Sequence, residues 1–341
     1  MRAQALLSAM CLIVLAGCTD PRLPSKPNTY AVTVQPVHTT RHEIHAVFVR
    51  PVQNRHPGYL VVFATGDDGW FGTSRALFSH LAEESYTLAG FSAPEALQDI
   101  ARSGERVSTE RAAQGLKDLY AQAKHHFGLP DSTPIIIVGF SRGASVVAFT
   151  AVHPQLRDGI GGAVAIALTR EADNLRAPER ERTPEVQVDD QGRIQLYPAL
   201  KLLGSTRLAV IQSTHDSYVP AGESRQLLGP DTPTLRLYEV EAKDHGFSNA
   251  RDTLTHDLDD ALRWIEETAP ASAPEASRTW SLPVRAVPWA GLLGRIELSA
   301  TDSVAIDSLH PVARRDASWL KLPPSRSPRR ASVASNRSNV Q

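Results

Sequence analysis

Residues 135–145 read IIIVGFSRGAS, from Ile135 to Ser145. The run Ile135 to Val138 is continuous and apolar, as a strand covered on both faces requires. It enters Gly139-Phe140-Ser141-Arg142-Gly143 without a spacer, and Ala144 to Val152 then carries the small and apolar residues of a packed helix. A serine between two glycines at a strand-to-helix corner has a steric logic. The tight turn brings neighbouring backbone close, so positions 139 and 143 must be small while Ser141 projects its hydroxyl outward. The start of the following helix, with its unpaired N–H groups, favours negative charge developing nearby. Ser141 is therefore a candidate nucleophile; capping of the helix is the other use of a serine at this position.

The surroundings of this corner set the fold class. Tyr30 to Val34 and Ile44 to Val49 alternate or are β-branched, as edge strands are. Tyr59 to Phe63 is apolar throughout, as a central strand is, and Thr87 to Phe91 is a weaker strand. Between Thr109 and Phe127 the residues Ala112, Leu116, Leu119, Tyr120, Ala123 and Phe127 recur at helical spacing. Apolar runs at Ile160 to Leu168, Arg207 to Gln212 and Thr234 to Val240 predict further strands. Leu254, Leu258, Ala261, Leu262 and Ile265 predict a closing amphipathic helix. Strands alternating with helices imply an α/β domain with a mostly parallel sheet and helices on both faces.

A serine hydroxyl is a weak nucleophile without a base and an orienting acid. The stretch THDSYVP places Asp216 on the loop after one predicted strand, and KDHGF places His245 after the next. Asp244 and His215 are the weaker alternatives, Asp244 because it adjoins the histidine in sequence and is badly placed to reach its ring. The order Ser141, Asp216, His245, with these two loops, resembles the α/β-hydrolases over about Tyr59 to Glu267. The resemblance implies the α/β-hydrolase fold, a serine hydrolase acting most readily on an ester, and no cofactor. It also implies an oxyanion hole of two backbone N–H groups, one from Arg142 and one from Asp67 or Gly66 in the loop ATGDDGW, Ala64 to Trp70. That loop is similar to the one in the VirJ/AcvB family of periplasmic α/β-hydrolases. The implied activity there is cleavage of the aminoacyl ester in lysyl-phosphatidylglycerol.

The rest of the chain bounds the setting. A chain of 341 residues fits one α/β domain with tails, since such domains reach about 250 residues. A formal net charge of −1 gives no support for a nucleic-acid partner. No HExxH or paired Cys/His spacing argues for a metal, and His125-His126 at a helix end reads as compensation of the helix dipole. Residues 1–18 read as a lipoprotein signal: Arg2, an apolar run from Ala5 to Leu15, then Leu15-Ala16-Gly17-Cys18. Cys18 would be lipidated, giving a membrane partner through an N-terminal anchor, with 19–29 as a tether. Thr19-Asp20 resembles a signal for inner-membrane retention, so the periplasmic face of that membrane is the expected location. Both cysteines, Cys11 and Cys18, lie in this leader, so the domain at 30–268 has no disulfide.

Residues of about 169–205 are rich in charge and hold Pro178, Pro184 and Pro198. They predict a lid or insertion over the carboxyl ends of the strands, where sites of such sheets lie. Its acids Glu171, Asp173, Glu179, Glu181 and Glu185 offer attraction for a cationic head group; interspersed arginines favour a plain solvated surface instead. Residues 269–341 begin with a Pro/Ala/Ser linker and end in a basic tail, a largely disordered extension by composition. The expected substrate is a small-molecule or lipid ester.

Overall fold

The computed structural model describes residues 26, 28–39, 43–96 and 106–267. The predicted leader with Cys18, most of the tether and the extension at 269–341 lie outside the described residues. Eight strands make one sheet: β1 (Tyr30–His38), β2 (Glu43–Pro51), β3 (Leu60–Ala64), β4 (Leu88–Phe91), β5 (Ile135–Phe140), β6 (Ile160–Ile166), β7 (Leu208–Ser213) and β8 (Leu235–Val240). Their order is β1-β2-β4-β3-β5-β6-β7-β8. β2 runs antiparallel to both its neighbours, and from β4 onward every pairing is parallel.

The strands that read as unbroken apolar runs are those covered on both faces. Leu60, Val62, Ile135, Ile137, Ala163 and Val210 look to one side, where α2 (Thr109–Phe127) and α3 (Arg142–Val152) pack. Val61, Phe63, Ile136, Val138, Val164 and Ile211 look to the other, against α1 (Gly72–Glu83) and α5 (Arg251–Glu266). Each large side chain so buried stabilises the fold by about 1.5–3 kcal/mol. α2 spans the residues its periodicity predicts. Ser108 caps its start by accepting the Arg111 N–H at 3.4 Å, and Gly128, at φ 68, takes the left-handed conformation that ends it. α4 (Ala221–Leu228) follows Pro220, and neither it nor α1 is among the helices predicted above, although the buried Leu77, Phe78, Leu81 and Ala82 of α1 do recur at helical spacing.

The insertion at 169–205 borders the cavity beside Ser141 with its first residues and packs the rest of its apolar side into the domain. Glu171–Ala172 pairs antiparallel with Ile194–Gln195, and Leu175–Arg176 pairs with Val107–Ser108 just ahead of α2. Ala172, Leu175, Ala177, Ile194, Leu196, Tyr197 and Leu200 are buried in the same core as α2 and α3. Burial pushes the Tyr197 phenol up to about 12, and its hydroxyl shares a 2.8 Å hydrogen bond with Ser224. The charged residues form the outer side of a segment whose inner side belongs to the domain.

The expected role of His126 also changes. Its ring stacks on Phe48 at 4.0 Å, and burial, with Arg50 nearby, lowers its pKa. A histidine held towards neutrality gives little compensation to a helix dipole, so its work is packing α2 against the β1–β2 hairpin.

Both ends of the described domain lie at one end of the sheet. Tyr30 is opposite Pro51, whose strand runs down to the start of β4, and Lys26 pairs with Glu83 at the end of α1. Glu266, at the end of α5, accepts from Tyr86 at 2.8 Å and meets His56 at 3.0 Å. The carboxyl ends of β3, β5, β7 and β8 are at the opposite end, and the loops described next stand there.

Candidate active site

Ser141 sits between β5 and α3 with φ 55 and ψ −115, a conformation that costs a non-glycine residue on the order of 1–3 kcal/mol. The surroundings impose it. The Ser141 N–H donates to Ile166 O at 2.8 Å, and Ser141 O accepts from Ser145 N at 3.2 Å. A Cβ at Gly139 would stand 2.3 Å from Gly143 O, and one at Gly143 only 2.1 Å from Ala64 O. The two glycines are thus required by contact with β3 and with each other. Ser141 makes no capping hydrogen bond with its side chain, so the capping use of this serine is not the one the structure adopts.

The Ser141 hydroxyl points instead at His245, with Oγ 2.8 Å from Nε2. Nδ1 of the same ring lies 2.7 Å from Asp216 Oδ2. An ionised carboxylate only accepts, so Nδ1 carries the proton and Nε2 is left to accept from the serine. Asp216 is fully buried at its side chain. Its Oδ2 also accepts from Gln212 Nε2 at 3.0 Å, and its Oδ1 from the N–H groups of Tyr218 at 2.7 Å and Val219 at 3.4 Å. The His245 ring is flanked by Phe140 at 5.6 Å and by Tyr218 in edge contact at 4.8 Å. The three residues named from the sequence therefore stand in one hydrogen-bonded line, at the ends of β5, β7 and β8. Gln212, Tyr218 and Phe140 are given no site role by the sequence; Gln212, a polar residue inside a buried strand, carries the one available signal.

The two alternatives point elsewhere. Asp244 receives the Ser248 N–H at 3.0 Å and the Ser248 hydroxyl, which hold its carboxyl below the usual range. His215 meets Ala242 O at 3.0 Å and Thr214.

The loop after β3 separates the two candidate donors. Gly66 N–H donates to Ser74 Oγ of α1 at 2.9 Å, so it is already engaged and differs from the expectation. Gly69, at φ 60, closes a turn by donating to Gly66 O at 3.1 Å, and Trp70 anchors the loop on Phe78 at 4.9 Å. The N–H of Asp67 and that of Arg142 donate to no protein acceptor among the described residues. Their side chains form an ion pair with each other across the mouth. Ser74, the residue that decides between Gly66 and Asp67, lies in a helix that sequence reading leaves unassigned.

A cavity of about 270 Å³ opens beside Ser141, bordered by Asp67, Arg142, Tyr218 and the start of the insertion. The insertion acids expected to attract a cation are mostly occupied: Arg193 lies 3.9 Å from Glu171 and 3.3 Å from Asp173, and Glu181 and Glu185 accept from Thr109 and Thr183. Among the described residues no group of three or more His, Cys, Asp or Glu is placed to hold a metal ion.

No family model matches the sequence, and no curated protein does. Solved structures do. The chain is similar to a Klebsiella pneumoniae protein assigned as a dienelactone hydrolase, at 17% identity over 70% of this chain and 100% of that one, with a TM-score of 0.51. The chain has the α/β-hydrolase fold. It is also similar to Est1E from Butyrivibrio proteoclasticus (14% identity, 68% of this chain and 99% of that one, TM-score 0.47). A serine hydrolase homologue from Coxiella burnetii gives 13% identity, 73% and 100% coverage, and a TM-score of 0.47. At these identities the likeness is one of fold, and the α/β-hydrolase scaffold hosts more than one chemistry.

Proposed function

We propose that the protein is a serine ester hydrolase of the bacterial cell envelope. The observation that carries the reading is the line from Ser141 through His245 to Asp216, at 2.8 and 2.7 Å, with the serine on a strained corner. His245 Nε2 takes the hydroxyl proton as Ser141 Oγ attacks the ester carbonyl. Asp216 holds the Nδ1–H tautomer and stabilises the imidazolium. The oxyanion is received by the free N–H groups of Arg142 and Asp67, each donor of this kind contributing about 3 kcal/mol to lowering the barrier. His245 then returns its proton to the departing alcohol, leaving an acyl-serine. A water attacks that ester with His245 again as base, which releases the acid and restores the serine.

The substrate is taken to be an acyl or aminoacyl ester. The Gly66 to Trp70 loop, by its resemblance, speaks for the aminoacyl form, and the lining of the cavity beside Ser141 speaks for the uncharged acyl form argued below. Attachment through a lipidated Cys18 is the second part of the reading. Residues 15–18 support it, and so does the entry of the chain at Lys26, at the end of the sheet away from the mouth.

Detergent-solubilised full chain is treated with a fluorophosphonate probe beside Ser141→Ala and His245→Ala. Labelling that requires both residues is expected. A folded wild-type chain that takes no label turns the elbow into inherited architecture and makes the protein a hydrolase-fold binding module.

A further inference from the structure

The cavity beside Ser141 runs between α2 and α3 toward the β1–β2 hairpin, where Thr39 borders it, and its inner walls are mostly apolar. Its walls include Leu116 and Leu119 of α2, Val146 and Phe149 of α3, Phe91 and Ile44. At about 270 Å³ it falls just below the usual range for a whole drug-sized ligand, roughly 300–1,000 Å³, and suits one part of a substrate. Its charges cluster where the insertion and the elbow meet. The three lining acids each face an arginine: Asp67 meets Arg142, and Glu171 and Asp173 meet Arg193. Arg111, which also lines the cavity, is exposed. Arg193 is shared with Asp189 at 2.5 Å. Even so, Arg111, Arg142, Arg170 and Arg193 all line the cavity beside its three acids, so a cationic group entering here would meet an excess of positive charge and would lose its water against apolar walls.

One residue of the wall has no other explanation. Gly115 stands in the middle of α2, where glycine is the poorest helix former after proline. A Cβ there would have nothing within 4 Å, and the backbone has no positive φ, so neither packing nor conformation calls for glycine. What Gly115 borders is the cavity, with Ala112 one turn earlier on the same wall. A longer side chain at 115 would occupy that space. This differs from Gly139 and Gly143, where backbone forbids any side chain at all.

We infer that this cavity is the acyl pocket, that it takes an uncharged, apolar acyl chain, and that Gly115 keeps it open. The inference rests on Ser141 as the nucleophile: the acyl chain enters between α2 and α3, and the alcohol leaves past the charged mouth.

The test is a chain-length series of p-nitrophenyl esters, from acetate to laurate, with a lysine p-nitrophenyl ester beside them, hydrolysed by the full chain in detergent. For the wild type, kcat/KM rises about fourfold per methylene, the equivalent of about 0.8 kcal/mol each, until the pocket is full, and the lysine ester is the poorer substrate. Gly115→Leu lowers the octanoate-to-acetate ratio at least tenfold and moves the optimum to a shorter chain. Gly115→Ala, which favours the helix, moves it less in the same direction. A wild-type profile flat with length, a Gly115→Leu profile that coincides with it, or preference for the lysine ester overturns the acyl pocket. If fluorophosphonate labelling of Ser141 persists in that case, the nucleophile stands and only the pocket falls. If neither labelling nor cleavage of any ester occurs, both fall together.

Discussion

Two histidines among the described residues each meet an aspartate at 2.7 Å. One is His245 with Asp216; the other is His80 of α1 with Asp259 of α5. The two contacts match in length, one made by Nδ1 and the other by Nε2, and the rest of the difference lies in what surrounds them. Asp216 is fully buried and fixed by three further donors from its own loop and strand, whereas about a third of the Asp259 side chain is exposed. His245 presents its second nitrogen to a serine at 2.8 Å. His80 joins two helices on one face of the sheet. A His–Asp pair by itself is thus a tether; it becomes a proton relay when the carboxylate is immobilised and the far nitrogen is aimed at a nucleophile.

The largest effect that separates the pairs is on turnover. Asp216→Asn is expected to lower kcat on the order of 10⁴-fold, because an amide favours the wrong tautomer of His245. Asp259→Asn is expected to leave kcat within twofold. Steady-state hydrolysis of a p-nitrophenyl ester by both variants is the comparison to make, and equal losses would erase the distinction drawn above.

Next in size is the support beneath Asp216. Gln212→Leu removes a donor from its Oδ2 and leaves Val219 O without the 2.6 Å amide it now accepts. Loss of buried partners of this kind costs about 1–3 kcal/mol. Chemical denaturation should show that loss, with a kcat reduced roughly tenfold or more at unchanged KM. A stability loss with kcat intact would mean that the loop holds Asp216 without the glutamine. Tyr218→Ala is a smaller probe. Tyr218 is 62% exposed, yet its ring edge lies against His245. Removing it opens the His245–Asp216 bond to water, with kcat expected to fall less than tenfold and stability to change by under about 0.5 kcal/mol.

The contrast between the pairs also marks what the sequence could reveal. Ser141, Asp216 and His245 were legible because each follows an apolar strand directly, in chain order, with turn residues at the junction. The sheet was legible for the same reason: strands covered on both faces are unbroken runs such as Ile135 to Val138. α1 was not. It has no side-chain cap and no acid in its first turn, and its buried Leu77, Phe78, Leu81 and Ala82 follow a loop rich in glycine and aspartate. With α1 went Ser74, so Gly66 and Asp67 were indistinguishable as donors until Ser74 was seen to hold the Gly66 N–H. The inward packing of the insertion was not legible in its composition. Charges such as Arg193 and Glu171 face one another, while Leu175 and, about twenty residues later, Ile194 and Tyr197 close the core from two separate points in sequence. Pairing between distant residues is tertiary information, and no local pattern carries it.

The smallest expected effect concerns pH. The hydrogen bond to Asp259 is the main cause that raises the His80 pKa above 6.5, against the lowering effect of burial. A folded-state pKa above the unfolded one means that folding favours the charged ring. The stabilisation is therefore complete below about pH 6.5 and is lost as the pH climbs through the raised folded value. Partial exposure of both side chains limits it to about 1 kcal/mol or less. Denaturation midpoints measured from pH 5.5 to 9 should fall across that window in the wild type, and His80→Gln should flatten that component of the fall. Activity of His80→Gln at fixed pH should match the wild type while the fold is intact. A loss of turnover there, with no loss of stability, would show that α1 transmits its position to the loop carrying Asp67, and the second pair would then belong to the site as well.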